Sequence, residues 1–160
     1  MTDTKFDRRD FLVGGVAAGM AVGALAAASE GTSFIGTAHG AIGKGRLTLH
    51  AIDTFYGQTK AGLKIDLSRM EGGEYKLLKS VETVERGRTK DPLIPEGELV
   101  AGRYELLMHL EEYFNANNAG MPTPPFLADV HIRFGVYNAD QKFHVPILFS
   151  PWSYSYYRGS

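Results

Sequence analysis

A chain of 160 residues with a formal net charge of −1 has the length of one domain with, at most, a short appendage. Its 44% hydrophobic and 22% charged residues suit a globular protein, and it has neither a basic surplus for nucleic acid nor an acidic block. It contains no cysteine, which excludes disulfides, thiolate metal sites and cysteine nucleophiles.

From the N-terminus, Asp7-Arg8-Arg9-Asp10-Phe11-Leu12 sets an arginine pair before a Gly/Ala/Val-rich stretch, residues 13–28. The pattern resembles a twin-arginine export signal. The alternative, an uncleaved anchor, needs about 20 apolar residues to span a bilayer, and this stretch is shorter. Residues 1–40 are therefore expected to be a signal and lead segment, cut after Ala28 or nearer Gly40. Residues 41–160 would form the mature domain, periplasmic and in contact with a membrane only during export. A domain of that size buries about two-thirds of its unfolded surface.

The mature region alternates with period two, as half-buried strands do. Leu47, Leu49 and Ala51 alternate with Thr48, His50 and Ile52, and Leu63, Ile65 and Leu67 with Lys64, Asp66 and Ser68. Tyr104, Leu106, Met108 and Leu110 share a face; so do Phe126, Ala128, Val130, Ile132, Phe134 and Val136. Phe143, Val145, Ile147 and Phe149 alternate with Lys142, His144, Pro146 and Leu148. Turn residues punctuate these runs at Tyr56-Gly57-Gln58, Glu71-Gly72-Gly73, Arg86-Gly87, Pro95-Glu96-Gly97 and Asn138-Ala139-Asp140. Residues 111–119 alone read as a short helix. The expectation is an all-β, antiparallel two-sheet sandwich of about seven or eight strands. Pro146 cannot donate to a ladder, which predicts an edge strand or a bulge there.

The residues alone carry little chemistry. No Gly-x-Ser-x-Gly elbow, phosphate loop or Gly-x-Gly-x-x-Gly occurs. Glu111-Glu112 reads as a solvated helix face, and His39, His50, His109, His131 and His144 lack metal-ligand spacing, so no metal is expected. His50 and His144 lie on polar faces of apolar strands, and Arg88 sits in the Arg86-Gly87-Arg88 turn. Each is compatible with an ordinary surface role.

The arrangement as a whole is more specific. Leu49-His50-Ala51-Ile52-Asp53-Thr54, Gly57, Ala61-Gly62, Gly87-Arg88, Pro95-Glu96-Gly97, Tyr113-Phe114, His144-Val145-Pro146, Ser150-Pro151 and Tyr157-Arg158-Gly159-Ser160 follow one another between residues 46 and 160. Together they resemble the transthyretin-related proteins, and the Tyr-Arg-Gly-Ser ending resembles the 5-hydroxyisourate hydrolase branch. That resemblance implies a transthyretin-like sandwich, assembled as a homotetramer (a dimer of dimers). It also implies hydrolysis of the cyclic amide of a small molecule, 5-hydroxyisourate, with no cofactor and no metal. His50, Arg88, His144 and Ser160 match the family's catalytic positions, and Tyr157, Arg158 and Gly159 its pocket wall. One imidazole would deprotonate water and the other would orient it or donate to the leaving nitrogen. Arg88, with Arg158 as a candidate helper, would stabilise developing charge. Ser160 would contact substrate or water and bring a carboxylate, making the terminal tetrad part of the site.

Three segments depart from the family pattern. Lys142-Phe143 stands where His-Tyr is common, Arg86 replaces an acidic turn residue, and His109-Leu110-Glu111-Glu112 replaces a smaller segment. Two competing readings remain: a non-catalytic periplasmic transthyretin-like module binding a small ligand, and hydrolysis of a related lactam or ureide.

Overall fold

The computed structural model describes residues 40–159. The export-signal reading and the role given to Ser160 fall on residues outside these.

In chain order the strands are β1 (Ile42–Gly43), β2 (Leu47–Asp53), β3 (Lys64–Glu71), β4 (Glu74–Glu82), β5 (Leu99–Val100), β6 (Gly102–His109), β7 (Asp129–Val136), β8 (Phe143–Phe149) and β9 (Tyr154–Tyr156). A three-residue 3-10 turn, Glu85–Gly87, follows β4, and one helix, α1 (Leu110–Ala116), follows β6. The strands form a three-stranded sheet, β2-β8-β9, a four-stranded sheet, β4-β3-β6-β7, and a small β1-β5 pair. The described residues thus form an all-β sandwich with one helix, as the alternation predicts.

The core follows from that alternation. Leu47, Leu49 and Ala51 of β2, with Val145 and Ile147 of β8, are buried in one cluster with Ile65, Leu67, Tyr104, Leu106, Met108, Val130 and Ile132 of the larger sheet. Each fully buried aliphatic side chain contributes about 1.5–3 kcal/mol. Helix α1 buries Leu110, Tyr113 and Phe114, an i, i+3, i+4 stripe. Tyr113 meets Phe149 edge-on at 5.4 Å and donates a 3.0 Å hydrogen bond to the buried carboxylate of Asp53, at the end of β2. Asp53 also accepts from the backbone N–H groups of Phe55 and Tyr56, which turns the chain out of β2.

Four expectations need correction. The β2–β8 pair is parallel, because the chain builds the whole second sheet before returning beside β2. Strand β8, with Pro146, is the middle strand and keeps an unbroken register with β2. On its other side β8 runs in register with the tail, from Ile147–Tyr156 to the His144–Gly159 bridge. Pro146 takes part through its carbonyl, which accepts from Tyr157 N–H at 3.3 Å, so the proline costs only the return hydrogen bond. The run from Phe126 becomes a strand only at Asp129, and Phe126 is 70% exposed behind Pro124-Pro125. Finally, α1 starts at Leu110 and stops at Ala116, and left-handed residues Asn118 and Gly120 follow it.

Candidate active site

Strand β2 buries Leu47, Leu49, Ala51 and Asp53, so Thr48, His50 and Ile52 stand on the opposite face of its sheet. The parallel register sets His144 beside Thr48 and Pro146 beside His50. The two imidazoles are therefore diagonal neighbours, with ring centroids 6.5 Å apart and a 33° tilt. Nδ1 of His144 lies 2.9 Å from the Thr48 hydroxyl.

The turn before Arg88 completes this face. Gly87 has φ +64°, and a Cβ there would fall 1.9 Å from the Ala51 carbonyl oxygen. Only glycine allows both that conformation and so close an approach to β2. Val84 N–H donates to the Arg88 carbonyl at 2.7 Å, and Thr83 bridges Thr89, which closes the turn and holds Arg88 near the histidines.

Both imidazoles are held below the ordinary pKa of 6.5. For His50 the main cause is partial burial, followed by the charge of Arg88; a hydrogen bond to the Arg86 backbone opposes them. For His144 the causes are partial burial, then Arg88, then His50. Near pH 7 both rings are neutral and carry a free lone pair, the state a base requires.

Gly159 lies against His144. Its N–H donates to the His144 carbonyl at 2.8 Å, and a Cβ on Gly159 would fall 3.1 Å from Cδ2 of the ring. Tyr157 N–H donates to Pro146, and its side chain is exposed. The guanidinium of Arg158 points to the β7–β8 turn, where it donates to Gln141 at 2.9 Å and lies 4.9 Å from the Phe143 ring. The described residues thus bring His50, His144, Arg88 and Gly159 together, with Arg158 directed elsewhere.

A groove of about 190 Å³ adjoins this cluster, lined by Arg46, Thr48, Arg88, Thr89, Lys90 and Asp91, among others. Three cations against one carboxylate favour an anionic ligand. A larger cavity, about 270 Å³, is lined by Leu67, Arg69, Lys79, Leu93, Ile94 and Tyr104, among others. No histidine lines either space, but the groove shares Thr48 and Arg88 with the cluster and this cavity shares none of its residues. Its cations are engaged, Arg69 by Glu71 and Lys79 by the Pro92 carbonyl. Among the described residues no three histidine or carboxylate groups gather as a metal site would require. Sequence reasoning did not single out Thr48, Arg46 or Lys90. For Thr48 a signal was present, since the alternation sets it on the face of His50.

The HIUase/Transthyretin family profile matches residues 47–159, most of the chain and every strand of the two large sheets. The chain belongs to this family. Among curated members, 5-hydroxyisourate hydrolase 2 of Rhizobium meliloti (strain 1021) is 46% identical over 116 residues, covering 72% of this chain and 97% of that protein. The 5-hydroxyisourate hydrolase of Pseudomonas aeruginosa is 40% identical over 116 residues, with 72% and 92% covered. The solved structure of Klebsiella pneumoniae 5-hydroxyisourate hydrolase superposes with a TM-score of 0.58 at 30% identity, covering 72% of this chain and 99% of that one. A crystal structure of (S)-allantoin synthase superposes at 0.70 with 36% identity, over 76% of this chain but only 46% of the synthase.

Proposed function

We propose that this chain is a hydrolase that opens the cyclic amide of 5-hydroxyisourate, giving 2-oxo-4-hydroxy-4-carboxy-5-ureidoimidazoline in the breakdown of urate. The observation that carries the reading is the pairing of two neutral imidazoles with Arg88 on one sheet face. The several hydroxyisourate hydrolases among its relatives support it.

In the reaction one imidazole takes a proton from water as the oxygen bonds to the lactam carbonyl carbon. Negative charge moves to the carbonyl oxygen, where Arg88 stabilises it through charge-assisted hydrogen bonds. The C–N bond then breaks and the leaving nitrogen receives a proton from an imidazolium. Lys90 and Arg46 along the groove favour the anionic substrate. Gly159 is read as pocket wall against His144, together with Tyr157, and Ser160 as a contact to substrate or water, while Arg158 is left to hold the tail against Gln141.

Two further readings complete the proposal. The enzyme works as a homotetramer, a reading supported by the family and by the exposure of Trp152, Tyr154 and Tyr156 on and beside β9. It is exported to the periplasm, a reading supported by Arg8-Arg9 ahead of residues 13–28. Reaction in ¹⁸O-labelled water tests the chemistry: enzymatic hydrolysis incorporates one label into the new carboxylate. A chain that binds the substrate without accelerating label incorporation would be a binding module and no hydrolase.

A further inference from the structure

Thr48 makes two polar contacts, and together they fix a proton. Its hydroxyl oxygen lies 2.9 Å from Nδ1 of His144 and 3.4 Å from the carbonyl oxygen of Phe143. A hydroxyl carries a single hydrogen, and a carbonyl oxygen only accepts. Both contacts are hydrogen bonds at once when the hydroxyl donates to Phe143 and accepts from an Nδ1–H on His144. We infer that Thr48 is a positioning residue that holds His144 in its Nδ1–H tautomer, leaving Nε2 unprotonated as the general base of the hydrolysis. The inference rests on the hydrolase reading and deepens it by dividing the work between two histidines that the family match leaves equivalent.

The geometry makes this control rigid. Thr48 is the register partner of His144 across the parallel β2–β8 pair, so its hydroxyl sits beside the ring nitrogen nearest the backbone. On the tail side, Gly159 lies against Cδ2 of the same ring. A ring flip would set Cδ2 against the hydroxyl and Nδ1 against Gly159, and the hydrogen bond would be lost. The charged and titratable groups that act on this ring are Arg88 and His50. Arg88 offers no acceptor for an Nδ1–H, since a guanidinium only donates, and the His50 ring makes no hydrogen bond to it, its centroid lying 6.5 Å away. His50 is tied differently, through the Arg86 backbone, in a hydrogen bond that favours its protonated form. That difference suits His144 to remove the proton from water and, as the imidazolium, to return it to the leaving nitrogen, while His50 orients the water.

Two-bond ¹H–¹⁵N correlation spectra of the full chain near pH 7.5 read the tautomer directly, with the His144 signals identified by their loss in His144→Gln. The expected pattern is a protonated Nδ1 and a bare Nε2 in the unaltered protein. Thr48→Val, nearly isosteric, should shift His144 toward the Nε2–H form and lower kcat by roughly 10-fold, the scale of one lost hydrogen bond, with KM little changed. Thr48→Ser should restore both the tautomer and kcat. An Nε2–H tautomer in the unaltered protein would overturn the inference, as would unchanged kcat in Thr48→Val or a loss confined to KM. Because the spectrum needs no substrate, it decides the tautomer even if hydroxyisourate proves not to be hydrolysed. If Thr48→Val does not fold, the unaltered spectrum and the serine variant still decide it.

Discussion

Replacing Gly87 with alanine should disable the site without touching either histidine. At φ +64° an L-residue costs about 1–2 kcal/mol in backbone strain. Gly72 has nearly the same angle, φ +62°, but an added Cβ there meets nothing within 4 Å. At Gly87 the added carbon would lie 1.9 Å from the Ala51 carbonyl oxygen, and contacts under 3.0 Å force a shift. Opening that gap moves the turn by about an ångström, and Arg88 is the next residue. Misplacing a group by about 1 Å can cost roughly 10²-fold in rate. Thermal melting and steady-state kinetics on both variants separate the two effects. Gly72→Ala should lose a few degrees of Tm and keep its activity, whereas Gly87→Ala should lose more of both, with kcat/KM down about 100-fold. If Gly87→Ala is as stable and active as Gly72→Ala, the turn does not position Arg88 as argued.

Other expectations follow from the same face. His50→Ala and His144→Ala should each lower kcat by about 10²–10⁴-fold while circular dichroism stays unchanged, since both rings lie outside the core. Near-normal turnover in either would remove that residue from the mechanism. Activity should persist at pH 7 and decline only below the ordinary imidazole value of 6.5, because both pKa values are lowered. Arg88→Gln should move the acid limb of its residual activity upward, because the lost charge is one cause of the lowering. The same shifts affect stability with a definite sign: below pH 6.5 the unfolded chain takes up protons that the folded rings refuse, so denaturation midpoints should fall as pH drops toward the folded values. Gly159→Val should lower kcat without unfolding the sandwich, since its side chain must push against the His144 ring. Wild-type kinetics there would detach the tail from the site.

Much of this was legible in the sequence because one face of each main strand is buried. Leu47, Leu49 and Ala51 announce β2, and Phe143, Val145 and Ile147 announce β8, with His50 and His144 left on the outer faces. The resemblance motifs marked the same two histidines and Arg88. What stayed hidden is non-local. The Thr48–His144 hydrogen bond joins residues 96 apart in sequence, and no local pattern encodes a parallel register. Strand β4 escaped notice because it is an exposed edge, and a register shift opposite Leu67 and Ser68 leaves the adjacent Leu77 and Leu78 both exposed. Pro146 misled because a proline keeps its acceptor: its carbonyl still takes the Tyr157 N–H, so a middle strand tolerates the one missing donor. The direction of Arg158 depends on Gln141 and Phe143, whose nearness to the tail only the folded sheet creates.

On the proposed mechanism a neutral imidazole pair and Arg88 hydrolyse 5-hydroxyisourate. The most direct measurement is the decay of ultraviolet absorbance when the purified chain is added to hydroxyisourate freshly made from urate. Unaltered protein should consume the substrate far faster than its spontaneous decay, and the His50→Ala/His144→Ala double variant should leave the spontaneous rate unchanged. A decay no faster with unaltered protein than without it, or an undiminished rate in the double variant, would contradict the account.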